Sequence, residues 1–127
     1  MSAGLAACAH SPKTVCPAGG QSATAELVFA RVAGDAPGPG VSEAAFNGFV
    51  NDQVVSRFHE GLTVIDAQDL KPRPGGGAIY GPAKVVMIVL PGRADDADQL
   101  AAVRAAYKAR FNQQSVLIMT HQDCVSF

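Results

Sequence analysis

The sequence lacks most of the features that mark specialised protein classes. It has no tryptophan, and only 6% of its 127 residues are aromatic and 17% charged. Ten basic and eleven acidic side chains nearly cancel, leaving a formal net charge of −1, so the basic surface of a dedicated nucleic-acid-binding protein is missing. No apolar run reaches the length of a transmembrane helix. With 48% hydrophobic residues, the chain can bury one core, and its length leaves no room for a second.

The order of predicted elements indicates a single α+β domain. Alternating or continuous apolar runs predict four strands, and apolar residues at three- and four-residue steps predict two amphipathic helices. The strands are predicted at 24–32, 62–67, 84–90 and 115–127, and the helices begin at Ser42 and at Asp95 or Asp96. The order βαββαβ is the ferredoxin-like pattern, a four-stranded antiparallel sheet with two helices on one face. We expect residues 21–127 to form this domain and residues 1–20 to be a flexible N-terminal segment.

The predicted sheet is more apolar than a sheet with one solvated face requires. Residues 85–90, in the third predicted strand, are six consecutive apolar residues, and the first strand is apolar on both faces. Such a pattern is typical of a sheet covered on both sides. We therefore expect a homodimer in which a second copy covers the open face, as in dimeric α/β-barrels. Shielding by loops or by the N-terminal segment is the alternative.

The sequence contains three cysteines, an odd number, so one is left over if the other two form a disulfide. Cys16 precedes the first predicted strand and Cys124 lies near the end of the fourth, and these strands are predicted antiparallel neighbours. The two residues could therefore reach disulfide distance. We predict a Cys16–Cys124 disulfide, with two reduced thiols in a cytoplasmic protein as the alternative. Cys8 ends the tetrapeptide 5–8 (LAAC), which is similar to a bacterial lipobox, although the basic and apolar parts of a signal peptide do not precede it.

Segments throughout the predicted domain resemble a bacterial family, that of domain of unknown function 3574. The resemblance runs from about Ala25 to Phe127 and is carried by 25–29 (AELVF), 41–43 (VSE), 57–67 (RFHEGLTVIDA), 84–86 (KVV), 105–117 (AAYKARFNQQSVL) and 124–127 (CVSF). It implies a small exported or envelope-attached protein with no established activity, and no site residues carry over. On this resemblance we expect lipidation at Cys8, membrane attachment through that lipid, and a periplasmic or envelope-anchored location. The location is cytoplasmic if the lipobox match is chance.

No motif in the sequence specifies a reaction. His121 and Cys124 are three positions apart, so on a regular strand their side chains point to opposite faces and cannot form a nucleophilic pair or a metal site. The glycines between 75 and 81 are followed by a predicted strand, whereas a phosphate-binding loop needs a helix there. We predict no catalytic residue, no cofactor, no metal and no nucleic-acid partner.

Two functional hypotheses remain. The leading one is an exported binding or structural module that acts as a homodimer. The alternative is a small-molecule enzyme or sensor of the dimeric α/β-barrel type, with a pocket against the open face of the sheet. Because cations on adjacent strands could bind an anion there, the possible ligand-binding residues are Arg31, Tyr80, Lys84 and His121. The competing interpretation is that Arg31 and Lys84 reach solvent and form ion pairs with Glu26 or Asp66.

Overall fold

The structure, a computed structural model, describes residues 15–32 and 40–127. Its elements are β1 (Gly20–Ala30), α1 (Glu43–Phe49), a π-helical continuation of α1 (Val50–Val55), β2 (Leu62–Pro72), β3 (Ala78–Val89), α2 (Asp96–Phe111) and β4 (Leu117–Val125). The strands pair antiparallel in the order β2-β3-β1-β4. The predicted α+β, ferredoxin-like fold is confirmed, with β1 and β3 in the centre of the sheet.

The core lies between one face of the sheet and the two helices. Alternation along β1 directs Ala25, Leu27 and Phe29 into this layer, where each is fully buried. Phe29 makes edge contacts with Tyr107 of α2, at 4.7 Å between ring centroids, and with Phe49 of α1, at 5.6 Å. Such edge-to-face pairs contribute beyond the area they bury. One aromatic residue on the central strand therefore holds both helices on the same face of the sheet.

The helix ends follow the sequence signals in part. The hydroxyl of Ser42 accepts a hydrogen bond from the backbone N–H of Ala45 at 3.1 Å, as an N-cap should, and Asn112 closes α2 in the left-handed conformation, with φ 51°. The first helix, however, ends at Val55 and does not continue towards Gly61. Its last six residues widen into a π-helical turn, which places residues five apart on the same side. Phe58 is buried beyond the helix end.

The β2-β3 hairpin is longer than the sequence predicts. Pairing continues to Pro72 and Ala78, and the turn between them contains Gly75, Gly76 and Gly77, all with positive φ. In the outer part of the hairpin most side chains are exposed or half-buried, whichever face they occupy. The apolar alternation that predicts strands therefore fades there, although the backbone pairing does not.

A disulfide joins Cys16 to Cys124, with 5.3 Å between their Cα atoms. It ties the segment before β1 to the end of β4 across a sequence separation of 108 residues. Disulfides persist in oxidising compartments, so this bond is compatible with a location outside the cytoplasm. Cys8 lies outside the described residues. Within residues 15–32 and 40–127, no helix is long and apolar enough to cross a membrane.

Candidate functional site

The face of the sheet opposite the helices, here called the open face, is organised in rows that run across the strands. The strand register places one aliphatic side chain from each strand in a single row, the aliphatic row: Leu117, Val28, Val85 and Ile65. On one side of it lies a row of three alanines, Ala30, Ala83 and Ala67, and on the other lies the row of Met119, Glu26, Met87 and Thr63. Leu117 is 57% exposed and Ile65 43%. The single chain thus leaves apolar side chains in solvent across the full width of the sheet.

A cavity of about 270 Å³ lies at one end of this face and is called the open-face pocket. Every strand contributes to it, together with the segment before β2 and the residues after β4. Its lining consists of Thr24, Ala25, Glu26, Gly61, Leu62, Thr63, Met87, Ile88, Val89, Asp123 and Phe127. The pocket therefore combines hydroxyl and carboxylate groups with apolar side chains and an exposed aromatic ring, that of Phe127.

The polar side chains of the pocket are positioned by β1 and β4. The hydroxyl of Thr24 donates a hydrogen bond to the carboxylate of Asp123 across the two strands. The next residue, Cys124, is held by the disulfide to Cys16. The end of β4 is therefore attached to β1 and to the segment before it, and this fixes the backbone that presents Asp123 to the pocket.

Negative charge dominates the open-face pocket. Glu26 lies on a central strand, between Met87 and Met119 in its row. Within the described part of the chain, neither Glu26 nor Asp123 forms an ion pair, and the lining contains no lysine or arginine. Two uncompensated carboxylates beside apolar surface attract a positively charged group and repel an anion.

A second cavity, of about 340 Å³, lies on the helix side of the β2-β3 hairpin and is called the hairpin cleft. It is lined by Arg31, Asp66, Ala67, Gln68, Tyr80, Gly81, Pro82 and Ala83. Two of the four predicted ligand-binding residues, Arg31 and Tyr80, meet here. The cleft faces away from the open face, where the sequence-based hypothesis placed the pocket.

The cations next to the hairpin cleft are already paired. Lys84 is 5% exposed, and its Nζ donates to Oε2 of Glu43 at 2.9 Å and to the carboxylate of Asp66. Arg31 donates to Oε1 of the same Glu43 at 2.6 Å. The hydrogen bond from Lys84 lowers the pKa of Asp66, and the hydrogen bond to Asp66 raises the pKa of Lys84. Two cations face two carboxylates, so little positive charge remains for an anionic ligand.

The four predicted ligand-binding residues do not lie in one site. Lys84 pairs with Asp66, as the competing interpretation suggested, whereas Glu26 faces the opposite side of the sheet. His121 lies on the open face opposite Thr24, away from Arg31 and Tyr80. The structure thus brings Arg31 and Tyr80 together in the hairpin cleft, places Lys84 beside Arg31 on their shared partner Glu43, and leaves His121 apart. A ligand-binding role for the four stays a prediction.

Sequence reasoning missed the carboxylates of the open-face pocket. The alternation of β1 does place Glu26 on the face opposite Leu27 and Phe29, so a lone charge among apolar residues was visible there. The approach of Asp123 was not, because it depends on the register between β1 and β4, strands almost a hundred residues apart in sequence.

Comparison with known proteins identifies a family and a shared fold. A family model described as a protein of unknown function (DUF3574) matches residues 24–127, which confirms the resemblance seen in the sequence. No curated protein matches the chain. A solved structure of a phage SAM lyase in complex with S-methyl-5'-thioadenosine is 15% identical, with a TM-score of 0.61, over 91% of this chain and 90% of that one. A phage SAM lyase in its apo state is 17% identical, with a TM-score of 0.60, over 84% and 85% of the two chains.

The structural comparison corrects the leading functional hypothesis. At these identities the likeness shows a common fold, and in both solved structures that fold belongs to an enzyme. The prediction of a binding or structural module is therefore wrong. The alternative, a small-molecule enzyme or sensor with a pocket against the open face, is the one that the comparison favours.

Proposed function

This chain belongs to the DUF3574 family, and on that premise we propose that it is an enzyme acting on a small organic cation bound in the open-face pocket. The observation that carries the proposal is a pair of carboxylates, Glu26 and Asp123, that lack an ion-pair partner among the described residues, in a cavity whose described lining has no basic side chain. The hairpin cleft is the weaker candidate, since its arginine and the adjacent lysine are neutralised by Glu43 and Asp66.

The other residues that line the open-face pocket suit the uncharged parts of such a ligand. Met87 and Val89 provide apolar surface on β3, and the ring of Phe127, 98% exposed, is free to stack on a planar group. The hydroxyl of Thr63 can donate to or accept from a ligand hydroxyl, and that of Thr24, which donates to Asp123, can still accept. A cavity of about 270 Å³ is somewhat below the roughly 300–1,000 Å³ of typical ligand pockets. It therefore fits a small molecule and not a polymer.

The substrate class follows from this chemistry and from the fold. A phage enzyme with the same fold is named for SAM, S-adenosylmethionine, and was solved with S-methyl-5'-thioadenosine. S-adenosylmethionine carries a positively charged sulfonium, whereas S-methyl-5'-thioadenosine is an uncharged thioether with the same nucleoside. The carboxylates of the open-face pocket complement the sulfonium and gain nothing from the thioether. S-adenosylmethionine is accordingly the first compound to test.

Calorimetric titration tests the proposal on the purified chain. We expect S-adenosylmethionine to bind more tightly than S-methyl-5'-thioadenosine. Glu26→Gln should weaken binding of the sulfonium about tenfold, since a Coulombic attraction of about 1.4 kcal/mol is lost, and should leave thioether binding unchanged. Asp98→Asn, at an exposed position on α2 on the other side of the sheet, is the control and should change neither affinity.

Chromatography of the same samples distinguishes an enzyme from a sensor. Loss of S-adenosylmethionine with the wild-type chain, above a protein-free blank, supports an enzyme, whereas binding without turnover supports a sensor. Equal affinity for the two nucleosides, or no binding of either, would contradict a cation-selective pocket.

We also propose that the protein is exported and lipidated at Cys8. The lipobox-like segment 5–8 and the Cys16–Cys124 disulfide support this location. Intact mass of the protein expressed from its own gene in its own bacterium and recovered from all cell fractions, compared with that of Cys8→Ser, tests it. The wild-type chain should carry an added lipid mass that the variant lacks, and an unmodified wild-type chain would contradict the proposal.

A further inference from the structure

The aliphatic row is a surface that no other part of residues 15–32 and 40–127 covers. It crosses all four strands without a charged residue, and its two outer members, Leu117 and Ile65, are 57% and 43% exposed. The alanine row beside it adds a strip of small side chains. Met87 and Met119, on its other side, are 41% and 39% exposed. A contiguous apolar patch of this kind marks an interaction surface.

We propose that a second copy of this chain packs on the open face. Its size fits such a partner. The strands have 9 to 12 residues, and at about 3.3 Å per residue and about 4.8 Å between strands the face measures roughly 19 by 30–40 Å. The whole face, its pocket and outer hairpin included, therefore offers about 600–750 Å² per copy, close to the roughly 800 Å² per partner of a standard stable interface.

The distribution of charge on the open face supports the same partner. The centre of the face, formed by the aliphatic and alanine rows, has no ionisable group. Asp123 lies towards one end of the face, and Asp69 and Lys71 lie on the outer hairpin at the other. Glu26 is the charged residue nearest the centre, in the row that borders the aliphatic row. An apolar centre depleted of charge within a charged rim is the usual composition of a protein interface. Two copies related by a two-fold axis would bring their apolar centres together.

The second copy would also change the open-face pocket. Glu26 belongs to the row directly beside the aliphatic row, so a chain packed there would form a wall over the pocket. Removal of water at that wall would strengthen the attraction between the carboxylates and a bound cation. This consequence rests on the proposed function, whereas the dimer itself does not, because its mass is measured without ligand.

Analytical ultracentrifugation of the full chain over a range of concentrations tests the proposal. The wild-type chain should sediment with twice the 13.1 kDa mass of one chain. Leu117→Lys and Ile65→Lys, at opposite edges of the sheet and outside the pocket lining, should each raise the dimer dissociation constant at least tenfold, because each buries two ammonium groups in one interface. Val55→Lys is the control, since Val55 is 40% exposed but lies on the helix layer.

Circular dichroism of all three variants should show the wild-type helix and strand content, since each replaces an exposed side chain. A wild-type chain that is monomeric at every concentration would overturn the proposal. So would a dimer that survives both Leu117→Lys and Ile65→Lys, or one that Val55→Lys dissociates equally. A monomeric chain that still binds the cation would refute this inference alone. A dimer that does not bind the cation would refute the proposed function alone.

Discussion

Tyr107 offers a sharp test of the packing between α2 and the central strand. Its side chain is fully buried, and its hydroxyl donates a hydrogen bond to the carbonyl oxygen of Ala30 at 2.6 Å. Tyr107→Phe removes that hydroxyl and keeps the ring contacts with Phe29 and Phe111. A buried hydrogen bond of this kind contributes about 1–2 kcal/mol. At pH 8 we therefore expect the variant to lose about that much free energy of unfolding.

The same substitution should matter less at high pH. Burial raises the pKa of Tyr107 to about 12, from an ordinary value of 10.0. A group whose pKa is raised by folding contributes its full stability below the unfolded pKa and loses it as the pH rises towards the folded pKa. At pH 11, halfway between the two pKa values, the titration of Tyr107 has lowered the free energy of unfolding of the wild-type chain by about 1.4 kcal/mol. Phenylalanine does not titrate, so the gap between the two proteins, meaning the difference between their free energies of unfolding, should shrink to nearly zero.

Urea unfolding followed by circular dichroism at pH 8 and pH 11, without reductant, measures both gaps. Other titrations, including that of Lys84, occur in both proteins and cancel in the difference. A gap of the same size at the two pH values would refute the claim that burial keeps the Tyr107 phenol neutral. No gap at pH 8 would refute a stabilising hydrogen bond to Ala30.

Further predictions concern the ion pairs and the disulfide. Lys84→Met should lower the free energy of unfolding, measured with urea at pH 7, by no more than about 1 kcal/mol. The carboxylates of Glu43 and Asp66 that it frees are exposed, and the new side chain is apolar. A much larger loss would show that the ion pairs hold α1 to the sheet. Folding lowers the pKa of Asp66 from its ordinary value of 3.8. The wild-type chain should therefore have a larger free energy of unfolding than Asp66→Asn above pH 3.8, and this difference should disappear as the pH falls through the lowered pKa. A difference that persists in stronger acid would contradict the pairing with Lys84. Cys16→Ser should lower the free energy of unfolding by about 3–5 kcal/mol, as expected for a closed loop of this length, and reductant should destabilise the wild-type chain equally; unchanged stability in either case would contradict the disulfide.

Local sequence signals predict the part of the fold that depends on the core. The alternation of Leu27 and Phe29 identifies the buried face of β1, and Ser42 and Asn112 mark two helix ends. The strand order then follows from the connection rules for βαβ units. The outer hairpin escapes prediction because its residues lie beyond the helix layer, where burial no longer imposes a pattern. The early end of the first helix escapes because a π-helical turn keeps residues such as Phe49 and Val54 buried with a spacing of five.

The candidate site is harder to predict for a related reason. Arg31 and Lys84 stand out as cations on apolar strands, but the sequence does not show that both meet the carboxylate of Glu43 on the helix side. Glu26 is visible as a lone charge on an apolar strand, but only the register shows that Met87 and Met119 lie beside it. Sites assembled across strands depend on long-range pairing, which no local pattern encodes.

The most direct test of the account is where a ligand binds. Two-dimensional amide NMR spectra of the isotope-labelled chain, recorded during titration with S-adenosylmethionine, report the position of the site residue by residue. We expect the shifts to cluster at Thr24, Glu26, Thr63, Met87 and Asp123, around the open-face pocket. Shifts centred on Arg31, Asp66 and Tyr80 in the hairpin cleft, or no shifts at all, would contradict it.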